Sequence, residues 1–111
     1  MECDNGIFKP LGFRFQGSAA GLAAAQRAAG PLERIGASRV EAGEGEADTG
    51  PLIDKGVPGL ALDVDPSRYF WYHHSWGDMM TVVDRGDFQR CVAAMAVISY
   101  LIADSDALIP R

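Results

Sequence analysis

The two histidines of the chain are adjacent, His73 and His74, and there are no others. They stand in RYFWYHHSWGD, directly after Tyr69, Phe70, Trp71 and Tyr72 and shortly before Asp78. A neutral imidazole ligates zinc and related metals, and it exchanges protons near neutral pH. By residue type alone, His74 is either a metal ligand or a hydrogen-bonded histidine at the polar end of an aromatic segment. His73 either faces a substrate or bonds a backbone carbonyl. Asp78 follows His74 by four positions. It is placed to orient the imidazole through its second ring nitrogen, or to bond N–H groups of its own turn. Asp4, beside Asn5-Gly6, reads as a turn residue. Asp48 either caps a short helix beginning near Pro51 or lines a pocket, and its position favours capping. The four aromatics suit packing, or the wall of a specificity pocket.

The elements that must position these groups are unevenly marked. GSAAGLAAAQRAAGPLERIG predicts a helix from about Ser18 to Ala29 with Ser18 as N-cap. Leu22, Ala25 and Ala29 share one face, small enough for close packing on a sheet. Gly30-Pro31 ends or offsets that helix, and LERIG adds a turn. SRVEAGEGEADTG predicts a short strand and then a glycine-rich acidic loop. Gly43 and Gly45 lack phosphate-loop spacing, and Glu44, Glu46 and Asp48 repel phosphate. PLIDKG predicts a short helical segment closing at Gly56. VPGLALDVD predicts a strand covered on both faces, and a loop then carries the aromatic–histidine segment to Asp78. DRGDFQRCVAAMAVISYLIAD predicts the longest helix, about Arg85 to Ala103. Asp84 is its N-cap, Asp87 holds the capping-box position, and Phe88, Cys91, Val92, Met95, Ile98 and Ile102 recur at helical spacing. This strand–helix–strand rhythm predicts an α/β layered fold.

Composition narrows the function classes. The 111 residues are 48% hydrophobic and 23% charged, which fits a globular chain with a core of its own. Cys3 and Cys91 are either two thiols or one disulfide. A formal net charge of −5 with no basic stripe argues against nucleic acid and anionic membrane as partners. MECDNGIFKP contains no basic segment followed by an apolar run, so no signal peptide is expected there. Cys91–Ala103 is too short to span a bilayer, and a soluble chain is expected.

Three patterns stand in order: MECDNGIFKPLGFRF, GEGEADTGPLIDKGVPGLALDVD and SRYFWYHHSWGDMMTVVD. Together they resemble the C-terminal part of the co-catalytic dizinc exopeptidases of the aminopeptidase and glutamate carboxypeptidase family, within its plasma glutamate carboxypeptidase group. The resemblance covers the chain through its closing helix and IPR ending, and less than half of a complete member. It implies a single partial domain, residues 1–111, from a mixed-sheet, three-layer zinc-peptidase fold with a long C-terminal helix. It also implies a small peptide as substrate, two zinc ions as cofactor, and export in typical members.

Carried over residue by residue, Asp4 matches the acidic residue that ligates one zinc, and His74 matches the second histidine of the HHS motif, which ligates the other. His73, Asp78 and Asp48 fall at outer-shell or substrate-lining positions. The family's further histidine, bridging carboxylate and paired glutamates, one of them the general base, have no counterpart here. Met79 stands where the family usually has Thr, and GEGEAD replaces GGAD or GEGTD. Each metal would thus take one ligand from this chain, and hydrolysis by the chain alone is not expected. The alternative, from a different class, is a non-catalytic binding or homodimerising module on the same fold.

Overall fold

A computed structural model of the chain describes residues 1–44 and 47–111. Gly45 and Glu46 of the acidic loop lie outside the described residues. The order of elements is β1 (Pro10–Gln16), α1 (Ala19–Ala29), a 3-10 helix (Gly30–Ile35), β2 (Arg39–Ala42), α2 (Gly50–Ile53) and β3 (Gly59–Val64). A 3-10 turn (Pro66–Arg68), α3 (Tyr69–Tyr72), a second 3-10 turn (Met80–Val82) and α4 (Arg85–Ala103) complete it. The sheet order is β2-β1-β3, with β1 parallel to β2 and antiparallel to β3. The fold is therefore α/β, a mixed three-stranded sheet with a long C-terminal helix.

No element is expected from sequence at residues 10–16, yet PLGFRFQ is the central strand. Its apolar alternation is short, and Arg14 and Gly12 interrupt it. Tertiary pairing supplies what local pattern lacks. Phe13 sits opposite Val40 on one side and Leu62 on the other, and Phe13 and Phe15 are both buried. Each such ring stabilises the fold by roughly 2 kcal/mol through burial. On the polar edge, Asp63 of β3 pairs with Arg14 of β1 at 3.2 Å and with Arg39 of β2, so one carboxylate spans all three strands. Gly12 lies where the register shifts, at φ +147°, and a Cβ there would stand 1.9 Å from the Arg39 carbonyl oxygen. Only glycine permits that approach.

The helices follow their sequence signals closely. The Ser18 side chain accepts from the Gly21 N–H at 3.0 Å, and its hydroxyl donates to the Pro110 carbonyl at 3.0 Å, docking the tail on the start of α1. Ala25 and Ala29 are buried and Leu22 partly so. The Asp84 carboxylate accepts from the Asp87 N–H at 2.9 Å, while the Asp87 carboxylate pairs with Arg90. α4 buries Cys91, Ala94 and Ile98, and it packs on α1 and β1. Phe88 and Val92 share the apolar spacing but are exposed, because that stripe is wider than the contact with the sheet. The full 19-residue helix is long and apolar enough to cross a membrane by length and composition, unlike the shorter Cys91–Ala103 stretch considered alone. A core helix passes the same test, so this is weak evidence of a span.

The N-terminal segment joins the sheet beside β3. The Glu2 N–H donates to the Leu60 carbonyl and the Leu62 N–H to the Glu2 carbonyl, both at 3.0 Å. The Glu2 carboxylate accepts from the Asp48 N–H at 3.0 Å, the Thr49 N–H at 3.0 Å and the Thr49 hydroxyl at 2.8 Å. Thr49, not Asp48, occupies the N-cap position of α2, with no capping bond from its own side chain. The expected capping role of Asp48 is corrected accordingly. A carboxylate from the far end of the chain binds these amides instead. Desolvation acts to raise the Glu2 carboxyl. The hydrogen bonds from the Asp48 N–H, the Thr49 hydroxyl and the Thr49 N–H outweigh it and hold the group below its ordinary 4.5.

Gly12→Ala is expected to lower stability by about 3 kcal/mol or more, read as a shift of the urea unfolding midpoint at unchanged slope. The depressed Glu2 carboxyl gives stability that is fully present above pH 4.5 and is lost as pH falls through the lower folded value. The melting temperature of the wild type should therefore exceed that of Glu2→Gln near neutral pH. The gap should close on acidification below that range, measured by circular dichroism across a pH series.

Candidate functional site

Asp4 and the histidines reach one place by two routes. After the Glu2 bridge, the chain turns at Gly6, where φ is +80°, and Phe8 lines the same cleft as Tyr69 and Tyr72 of the aromatic segment. On the other side, Asp65 opens the 3-10 turn, its carboxylate accepting from the Ser67 N–H at 2.9 Å. That bond is the main cause holding the Asp65 carboxyl below its ordinary value. Arg68 then ties the two routes together. Its guanidinium lies 6.0 Å from the Phe8 ring centre, 5.9 Å from Trp71 and 5.4 Å from Tyr72, and it donates to the Tyr72 hydroxyl at 2.8 Å. Each cation–ring contact at an exposed site stabilises by about 0.5–1 kcal/mol.

The stretch expected as loop is thus partly helical, because Arg68, Tyr72 and the Asp65 cap hold one turn as α3. The His73 N–H closes it onto the Tyr69 carbonyl at 3.0 Å. His74 then takes φ +53°, the one non-glycine residue with positive φ among the described residues. A β-carbon in the left-handed region costs roughly 1–3 kcal/mol when the surroundings must impose it. Several contacts bear on the turn. The His73 and His74 rings stack at 3.8 Å and Tyr69 stacks on His73 at 4.6 Å. The Ser75 hydroxyl donates to the Tyr72 carbonyl at 2.8 Å and accepts from the Gly77 N–H at 3.1 Å.

Asp4, His73, His74 and Asp78 line one open cleft of about 240 Å³, together with Phe8, Tyr69 and Tyr72. All four titratable residues are exposed. Asp48 is not among the residues lining this cleft. No hydrogen bond joins Asp78 to His74 among the described residues. The Asp78 N–H bonds the Ser75 carbonyl at 3.1 Å, and the Ser75 hydroxyl, not the Asp78 carboxylate, braces the turn. Of the residues the sequence left unmarked, Arg68 matters most. Its signal was faint: a cation at the head of an aromatic run.

A carboxylate and an imidazole are donor types that zinc accepts, but zinc sites take three or four protein ligands. Among the described residues no group of three or more His, Cys, Asp or Glu is placed to hold a metal ion. The chain therefore presents two suitable donors and not a closed site, and no hydrolytic step can be derived through a metal held by this chain alone.

No family model matches the chain, and no solved structure matches it. Curated proteins do. The chain is 40% identical to carboxypeptidase Q of Xenopus laevis and 39% identical to that of Homo sapiens, each over 112 residues. It is 37% identical to carboxypeptidase Q of Mus musculus over 111 residues. Each comparison covers 100% of this chain and 24% of the relative, so the chain spans about a quarter of the length of the curated relatives it matches. Along its whole length the chain is homologous to carboxypeptidase Q.

Proposed function

We propose that the chain forms the C-terminal part, as a single partial domain, of a zinc-dependent exopeptidase that hydrolyses peptide bonds near the ends of small peptides. The observation that carries this reading is the convergence of Asp4 and His74 on one cleft, in a chain homologous to carboxypeptidase Q. In this reading the Asp4 carboxylate ligates one zinc and the His74 imidazole the other. His73 and Asp78 flank them, and Tyr69 and Tyr72 wall the substrate's approach. Paired metal ions polarise a scissile carbonyl and lower the pKa of a bound water. The remaining ligands and the general base would come from residues this chain does not carry. Its own work is to hold two donors in register on a rigid sheet–helix layer.

The test is a graft. This chain replaces the matching segment of Xenopus laevis carboxypeptidase Q, and dipeptide hydrolysis is followed. A graft that melts like its parent should hydrolyse. Asp4→Ala or His74→Ala within it should lower kcat/KM by more than about 100-fold, beyond the 10–100-fold typical of outer-shell partners. Unchanged activity in both variants would overturn the ligand assignment. Tight binding of two zinc ions and dipeptide cleavage by the 111-residue chain alone would overturn the claim that its site is incomplete.

A further inference from the structure

A second pair of reactive groups converges away from the cleft. The N-terminal segment runs beside β3, so its side chains alternate in direction. Glu2 reaches Thr49 and Asp4 lines the histidine cleft, while Cys3 turns to the opposite side. There it lines a groove of about 430 Å³ whose other wall is Phe88, Cys91, Val92 and Met95 of α4. Cys91 is buried, and its Sγ lies 3.2 Å from the Phe8 carbonyl oxygen. The two sulfurs share one apolar groove without being bonded.

We propose that Cys3 and Cys91 form a disulfide across this groove, tying the segment that carries Asp4 to helix α4. The bond is independent of the metal reading. It would close a loop of roughly 90 residues, and a loop of that length restricts the unfolded chain strongly. The oxidant is a low-molecular-weight disulfide such as glutathione disulfide. The exposed Cys3 sulfur attacks it, loses its proton, releases one glutathione thiol and leaves a mixed disulfide. The Cys91 sulfur loses its proton, attacks the Cys3 sulfur and releases the second glutathione thiol. The protein pair gives up two electrons and two protons, and glutathione disulfide becomes two thiols. Closure also surrenders the bond from Cys91 to the Phe8 carbonyl.

Two facts fit that order of attack. Cys3 is exposed and Cys91 is not. Burial pushes the Cys91 thiol up to about 11, with the neighbouring Cys3 and then Asp87 adding to the effect against Arg90. Cys91 therefore completes the bond rather than starting it.

The folded chain is incubated with glutathione disulfide, quenched in acid, unfolded, alkylated and analysed by intact mass and peptide mapping. The expected product is a monomer lighter by two hydrogens, with a linked Cys3–Cys91 peptide pair and no alkylation at either cysteine. Its melting temperature should rise by roughly 10 °C or more over the thiol form. Cys3→Ser should abolish both bond and shift, and Cys91→Ser should leave a stable glutathione adduct on Cys3. A persistent glutathione adduct on Cys3 of the folded wild type would overturn the proposal. So would Cys3-linked dimers with Cys91 still open to alkylation after unfolding.

Discussion

The fold rests on one strand being hydrogen-bonded along both edges. β1 offers its backbone to β2 on one side and β3 on the other, and buried amides and carbonyls without partners are costly. Neither neighbour pairs with the other, so β1 is the element through which the sheet exists. Its side chains serve the same end. Phe13 and Phe15 turn into the core, while Arg14 meets Asp63, which also holds Arg39. The two arginines are near half-exposed, so water screens the pairs and their net stabilisation is small. Their value is positional, because a slip of either strand would break the three-strand contact. Register, not strength, is what the ion pairs add.

The cleft inherits that register through a few non-local bonds. Asp4 is carried by a segment with one bridge to β3, at Glu2 and Ala61, and the Glu2 carboxylate adds three hydrogen bonds to the turn before α2. His74 is carried by one helical turn that Arg68 fastens to Phe8 and Tyr72. Neither segment is long enough to hold its shape alone. Together they place two donors from residues 4 and 74 on the same opening. The left-handed backbone at His74 is the strained point of the cleft, and the stacked rings and Ser75 bonds surround it.

What sequence revealed and what it hid divide along the same line. α1 and α4 were legible to within a residue, because caps at Ser18 and Asp84 and the repeat of small or apolar residues are local signals. β3 was legible as a nearly continuous apolar run. β1 was not, since its stabilising partners Val40 and Leu62 are distant in the chain and Arg14 sits in its middle. α3 was hidden for the same reason, and so was Glu2, which acts 46 and 47 residues away. Phe88 and Val92 share the helical repeat yet stay exposed, because periodicity gives the face of a helix and not where its neighbour ends. His74 stood out as a candidate ligand only through the ordered likeness of three motifs, and its unusual φ had no local signature.

The core and the cleft are therefore built from different residues. Phe13, Leu62 and Ile98 are fully buried and make the core, whereas Asp4, His73, His74 and Asp78 are exposed and contribute little to it. An exposed carboxylate and an exposed imidazole keep most of their hydration, so presenting them costs little in desolvation, and the backbone at His74 carries the main cost. For the same reason a metal gains little from either one alone. One protein donor replaces one metal-bound water, an exchange with little net gain, and affinity of the kind enzymes use comes from three or four donors fixed in advance. The cleft fits a role in which pre-organisation is shared. This layer presents a carboxylate and an imidazole on one opening, and any metal centre built on them would depend on how many other donors are brought to meet them.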